Sequence, residues 1–295
     1  MGQDQKDRIM SFEQIGVVGG GLMGSGIAEV CAKNGIKIIL RETDSSVLEA
    51  AAARIQKSLD RGVKSNKIDE SQKEAISSRI TYTTEYSDFK DCQMVIEAIY
   101  ENEAAKIECF RELDNHVVDS QAILASNTSS IPIMKIAIET NRPENVCGLH
   151  FFNPVPVLDL VELIPSLVTS KETIERAHTF AANQLGKIVV RSQDRAGFIV
   201  NALLIPYILS AIRMAEAGFA TPEDIDAGMV KGCNHPMGPL ALADLIGLDT
   251  TMSVAISMYE EFNEPLYAPP PMLRRMVEAG HLGRKTQRGF YDYAR

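Results

Sequence analysis

His150 and Glu162, twelve residues apart, have the types and setting for proton transfer. His150 ends the apolar run 146–149, and ligands of open α/β sheets bind beyond the carboxyl ends of the strands. An unperturbed imidazole titrates near neutrality, so it can take a proton from an alcohol while hydride leaves the same carbon. Glu162 lies in Leu160-Val161-Glu162-Leu163-Ile164, a carboxylate between two apolar pairs. Burying it alone is costly. A neighbouring imidazole removes that cost, and the carboxylate in return fixes the ring's tautomer and stabilises the imidazolium. The plainer readings are a satisfied core histidine and a strand glutamate facing outward.

Three further groups of residues could meet a ligand. Asn201 interrupts a segment, 197–209, that is apolar nearly all round and therefore buried, so its amide needs either a substrate oxygen or a structural hydrogen bond. Ser126-Asn127-Thr128-Ser129-Ser130 ends another apolar run and offers hydroxyls and an amide; alternatively Ser129 or Ser130 caps a helix starting near Pro132. Arg54, Lys57, Arg61, Lys64 and Lys67 recur every three or four residues, which places five cations along one side of a helix and its end. Such a stripe suits a phosphorylated carrier or is a solvated face.

The elements that must position these groups begin with Gln14-Ile15-Gly16-Val17-Val18-Gly19-Gly20-Gly21-Leu22-Met23-Gly24. The run 15–18 fits a buried parallel strand, and 22–34 has helical spacing with Gly35 as a stop. Gly19 permits the tight turn, Gly21 lets backbone approach a pyrophosphate, and Gly24 lets helix pack closely on strand, with Leu22 and Met23 opening the helix. A second strand, 36–41, ends at Glu42, placed about twenty residues on to accept hydrogen bonds from an adenosine ribose. Glu42 would repel a 2′-phosphate, whereas Arg41 beside it could bind one; NAD is the favoured cofactor and NADP the second.

Further apolar runs at 79–83, 94–98, 122–126, 146–151 and 158–164 alternate with helical segments. The fold class is therefore α/β, a doubly wound Rossmann-type parallel sheet. Residues 44–78 are too long for one crossover helix and predict a helical insertion of two helices, broken near 64–69 and projecting from the sheet. After Arg195 only helical segments follow, at 197–217, 222–231, 240–262 and 271–279. The expected division is a dinucleotide-binding domain over 1–193 and a smaller all-α domain over 194–295, with Ala268-Pro269-Pro270-Pro271 as a stiff connector. The apolar helix at 198–209 also predicts a homodimer through the helical domain.

Composition narrows the classes. The 295 residues are 45% hydrophobic and carry a net charge of −9, which argues against nucleic acid as a partner. Five cysteines, odd in number and without a CxxC pair, argue against disulfides or a metal site and imply a reducing compartment. The first fourteen residues are polar, without an apolar signal core, and no run approaches a membrane span. The expectation is a cytoplasmic protein, away from membranes, with a frayed N-terminus.

The chain resembles the 3-hydroxyacyl-CoA dehydrogenase family, and within it the short stand-alone 3-hydroxybutyryl-CoA dehydrogenases. The resemblance runs from Ile15 to Tyr293 and is carried by GGGLMGSGIA at 19–28, VIEA at 95–98, ASNTSS at 125–130, GLHFFNPVP at 148–156, GFIVN at 197–201, HPMGP at 235–239 and GFY at 289–291. It implies oxidation of an (S)-3-hydroxyacyl-CoA to the 3-oxoacyl-CoA, or the reverse, in fatty acid or butanoate metabolism. His150 is then the catalytic base or acid, Glu162 its partner, and Ser129 and Asn201 bind substrate oxygens. Glu97, Glu101, Lys106, Asn127, Asn153 and Lys285 fall on the cofactor, with Ser129 close to both ligands. Ser58, Arg61 and Lys64 fall where relatives hold coenzyme A. Ser65 departs from relatives that carry a lysine there, and Lys64 would substitute. The alternatives are a sugar-acid dehydrogenase related to lambda-crystallin, on the same scaffold, and a non-catalytic nucleotide-binding structural protein.

Overall fold

The protein is described here by a computed structural model covering residues 11–294. The expected frayed N-terminus therefore lies largely outside the described residues. The chain divides into two compact units, one ending at Asp194 and the other starting at Arg195.

The first unit is built on one eight-stranded sheet. Its elements are β1 (Gln14–Val18), α1 (Leu22–Lys33), β2 (Lys37–Arg41), α2 (Ser45–Lys64), α3 (Glu70–Ser77), β3 (Ile80–Thr83), β4 (Met94–Glu97), α4 (Glu103–His116), β5 (Ile123–Ser126), α5 (Ile133–Ala137), β6 (Val146–Phe151), β7 (Leu160–Pro165), α6 (Lys171–Thr179) and β8 (Ile188–Arg191). The strand order is β3-β2-β1-β4-β5-β6-β7-β8. From β3 to β6 every pairing is parallel; β7 runs antiparallel to β6 and β8 parallel to β7. The central strands are apolar because helices cover both faces, and Ile15, Val17, Ile38, Leu40, Met94, Ile96, Ile123, Ala125, Cys147 and Leu149 share one buried cluster. β8 was not foreseen, since its four residues supply only three apolar side chains and both ends are exposed.

The insertion is two helices, as expected, and each start is capped. Asp44 accepts from the Ser46 and Val47 N–H groups, and Asp69 forms a reciprocal box with Gln72. It does not simply project. Ala51, Ile55 and Leu59, spaced by four, bury one face of α2 in the same cluster as Ile27 and Val30 of α1.

The second unit is helical: α7 (Val200–Glu216), α8 (Pro222–Gly232), α9 (Pro239–Ile246), α10 (Leu248–Phe262) and α11 (Pro271–Glu278). The expected single helix over 240–262 is two, bent by 96° at Gly247, whose φ of 104° is open to glycine but strained for other residues. Two buried aspartates organise this unit. Asp226 caps α9 through the N–H groups of Leu240 and Ala241. Asp244 accepts from the Phe290 and Tyr291 N–H groups and the Tyr293 hydroxyl, fastening the C-terminal segment. Among the described residues no single helix is long and apolar enough to cross a membrane. Four cysteines, Cys31, Cys92, Cys109 and Cys147, are buried, and burial pushes the thiols of the last three up to about 12.

Candidate active site

Strand register brings the candidate residues to one edge of the sheet. Val18, Glu97, Ser126 and Gly148 are lateral partners across β1, β4, β5 and β6. His150 lies two residues beyond Gly148 on the same strand, hence on the same face. β7 then returns antiparallel and sets Glu162 directly opposite His150. Nδ1 of His150 is 2.7 Å from Oε2 of Glu162, with the carboxylate fully buried and the imidazole 9% exposed. A carboxylate facing Nδ1 requires the proton on that nitrogen, so Nε2 is the basic atom of the ring. The Phe152 ring lies 4.6 Å from the imidazole.

At the β1 end, the glycines divide by what surrounds them. Gly19 has φ 92°, and a Cβ there would lie 2.7 Å from the Ala98 carbonyl oxygen; one on Gly24 would lie 1.7 Å from the Gly19 oxygen. Gly20, not singled out from the sequence, would place a Cβ 2.4 Å from that of Ala51 in α2. A Cβ on Gly21 would have no protein atom within 4 Å. Gly21 precedes α1, whose start has no side-chain cap and no acidic residue in its first turn. An open cradle of uncapped N–H groups fits a pyrophosphate. Glu42 stands beside it, its Oε1 accepting from the Gly20 N–H at 2.5 Å. The residues present thus fit a bound NAD: the turn for the phosphates, Glu42 for the ribose.

The β4 and β5 ends are fastened by two carboxylates. Glu97, fully buried, accepts from Lys106 Nζ at 2.6 Å, the Ile99 N–H at 2.8 Å and the Ser126 hydroxyl at 2.6 Å. With both oxygens engaged inside the protein, Glu97 supports the cofactor edge from beneath; the expected direct contact is not what this geometry offers. Lys106 is only 1% exposed and also approaches Glu101 at 3.3 Å. Oε1 of Glu101 accepts from the Thr128 hydroxyl and from the N–H groups of Ser129 at 3.0 Å and Ser130 at 3.2 Å. Burial works against ionisation of Glu101, but Lys106 and these donors outweigh it and hold the carboxyl below its usual range. For Lys106, burial is likewise outweighed by Glu97 and Glu101, which hold the ammonium above its usual range. Asn127 links the next two strand ends, its Oδ1 accepting from the Phe151 N–H at 2.9 Å.

Neither Ser129 nor Ser130 caps α5. That work falls to Asp194, whose oxygens accept from the Ile133 and Met134 N–H groups at 2.6 and 2.7 Å. The half-buried Ser129 hydroxyl lies 3.4 Å from Glu101. Asn153 sits in the loop after β6, and a residue missed from the sequence pins that loop: Lys187, 8% exposed, donates to the carbonyls of Val155 at 2.8 Å and Leu158 at 2.7 Å. Burial lowers the Lys187 ammonium below its usual range.

The cationic stripe separates into two parts. Arg54 turns back and donates to the Gly20 carbonyl at 2.9 Å, so it braces the glycine turn. Lys57, Arg61, Lys64 and Lys67 remain exposed. Ser58, expected on coenzyme A, hydrogen-bonds Glu29 of α1, and burial raises the Glu29 carboxyl. Ser65 donates to the Gly62 carbonyl at the end of α2. In the second unit Asn201 is half-buried in the first turn of α7, and Lys285 pairs with Asp249 at 2.6 Å.

Comparison with known proteins bears on both units. The family model for the NAD binding domain of 3-hydroxyacyl-CoA dehydrogenase matches residues 14–195, and that for its C-terminal domain matches 197–293. A 3-hydroxybutyryl-CoA dehydrogenase of Mycobacterium tuberculosis is 56% identical, over 96% of this chain and 99% of its own. The mitochondrial hydroxyacyl-coenzyme A dehydrogenase of Homo sapiens is 41% identical, over 95% and 91%. The crystal structure of (S)-3-hydroxybutyryl-CoA dehydrogenase from Ralstonia eutropha has a TM-score of 0.91 at 44% identity, over 97% of this chain and 100% of that one. Since the matches span the glycine turn, the paired histidine and glutamate and the helical unit, the chain belongs to the 3-hydroxyacyl-CoA dehydrogenase family.

Proposed function

We propose that the chain interconverts (S)-3-hydroxybutyryl-CoA and acetoacetyl-CoA with NAD(H) as the redox partner. The observation that carries this reading is the buried His150–Glu162 pair, 2.7 Å apart at the sheet edge that also bears the glycine turn. In the oxidative direction Nε2 of His150 accepts the proton of the substrate's 3-hydroxyl as the C3–H bond gives up hydride; in reduction it returns that proton to the forming alkoxide. Bound NAD supplies the hydride acceptor, and NADH the donor. Glu162 opposes the positive charge that develops on the imidazole. Ser129, on the loop that Glu101 holds, and Asn201 keep the substrate-oxygen roles implied by the resemblance, as Asn153 and Lys285 keep theirs on the cofactor. The exposed cations Lys57, Arg61 and Lys64 suit the phosphates of coenzyme A.

The four-carbon acyl chain is supported by the names of the relatives. Steady-state rates with NADH across 3-oxoacyl-CoA substrates of four to sixteen carbons test it. The expected result is the highest kcat/KM at four carbons; no NADH consumption with any of them overturns the reading.

We also propose a homodimer through the helical unit. A single copy leaves Leu203 of α7 73% exposed and Phe219, just after it, 79% exposed, more apolar surface than a solvated helix needs. The solution mass at micromolar concentration is expected to be twice that of the chain, and a monomeric mass refutes the proposal.

A further inference from the structure

Arg41 and Glu42 stand side by side at the end of β2, where dinucleotide folds bind the adenosine ribose, and they favour opposite cofactors. A carboxylate suits the ribose hydroxyls of NAD, whereas a guanidinium suits the 2′-phosphate of NADP. The two side chains are held differently. Glu42 is fixed to the glycine turn, Oε1 on the Gly20 N–H at 2.5 Å and Oε2 on the Thr43 N–H at 3.2 Å. Arg41 is fixed to the segment after β3. Its Nε donates to the Thr84 carbonyl at 3.0 Å, its Cζ lies 4.1 Å above the centre of the Tyr86 ring, and Nη1 is 3.4 Å from the Tyr86 hydroxyl. Tyr86 is itself braced by Phe89, at 6.2 Å between ring centres, and by a hydrogen bond with Cys109.

We infer that Tyr86 makes the chain selective for NAD over NADP by holding Arg41 on its ring, away from a phosphate on the ribose that Glu42 faces. A guanidinium stacked on an aromatic face and bonded to a carbonyl must give up both contacts to meet a phosphate. Losing the Glu42 charge alone therefore does not convert the site. Arg54, donating to the Gly20 carbonyl at 2.9 Å, is a second cation near this turn and must be separated from Arg41 in any test. The inference rests on Glu42 as the ribose ligand, and the test distinguishes failure of the two.

Dissociation constants of NADH and NADPH, read from nicotinamide fluorescence without acyl-CoA, decide it. Glu42→Ala is expected to weaken NADH and to tighten NADPH by about threefold or less, the size of a screened surface charge effect. Adding Tyr86→Leu tightens NADPH by about a further tenfold or more, the worth of a charge-assisted contact. Adding Tyr86→Phe, which keeps the stacking ring, does not. The gain must vanish when Arg41→Gln is added, which assigns it to Arg41 and leaves Arg54 unchanged. A Glu42→Ala/Tyr86→Leu protein that binds NADH like Glu42→Ala yet gains no NADPH affinity overturns the inference, as does a gain that survives Arg41→Gln. Should Tyr86→Leu not fold, Arg41→Gln alone decides: unchanged NADPH affinity supports the inference, and about tenfold weakening shows that Arg41 already reaches the phosphate and overturns it. Unchanged NADH affinity in Glu42→Ala fails the ribose reading instead.

Discussion

Replacing His150 with glutamine lowers kcat for acetoacetyl-CoA reduction by about 10²- to 10⁴-fold while NADH binding is retained. Glutamine fills much of the imidazole's space and can still hydrogen-bond the Glu162 carboxylate, so the buried acid keeps a partner. What it lacks is a ring nitrogen that can accept the substrate's proton and return it. The glycine turn lies at the end of β1, separated from β6 by β4 and β5, so the cofactor's phosphate cradle is untouched. Single-turnover rates and an NADH titration on the same variant check both halves; turnover within a few-fold of the parent removes the histidine from the mechanism. Glu162→Gln tests the partner. An amide cannot balance an imidazolium and can present its own N–H to Nδ1, reversing the ring's tautomer, so a loss of up to about 10⁴-fold is expected, again with NADH binding kept.

How far the sequence discloses this site depends on the range of the interaction involved. The His150–Glu162 pair is legible because a carboxylate between apolar residues in a short hairpin must find a partner nearby, and the cross-strand register supplies it. The glycine turn is legible because its constraint is local backbone. The cap of α5 is not. Ser129 and Ser130 are adjacent and of the right type, yet Asp194, 61 residues beyond Ile133, takes both N–H groups. A charged acceptor that binds two donors outcompetes a neighbouring hydroxyl, and no local pattern encodes that. Arg54 fails to read as distinct from Lys57 and Arg61 for the same reason, since its partner is the Gly20 carbonyl 34 residues away. Lys187 gives no signal either, because a lysine at the start of an apolar strand looks solvated until the loop it pins is in place. The break at Gly247 was hidden by apolar spacing that continues through it; the backbone conformation, not the periodicity, ends α9.

The second large effect is on stability. Lys106→Met is expected to destabilise the first unit by about 3–5 kcal/mol at pH 7, because it leaves the fully buried Glu97 carboxylate without its cation. The Ser126 hydroxyl and the Ile99 N–H remain on that carboxylate and favour the lower end of the range. Glu101 gives the effect a pH dependence. Its folded carboxyl is held below the usual range, with Lys106 among the causes, so its contribution is present above the unfolded value of about 4.3 and is lost as pH falls through the folded one. Lys106 is held above its usual range, so its contribution is complete below about 10.4 and disappears only as pH rises through its folded value. Both are fully present at pH 7. The deficit of the variant is therefore largest near neutrality and narrows as the solution is acidified below about pH 4, where the parent loses the Glu101 contribution as well. Urea denaturation at pH 7 and at pH 3.5 measures it. Adding Glu97→Gln to Lys106→Met removes the stranded charge and is expected to recover part of the loss, which a void left by the shortened side chain would not allow. A variant within about 1 kcal/mol of the parent at pH 7, or a deficit that does not shrink in acid, would mean that this buried pair is not what fastens the β4 and β5 ends.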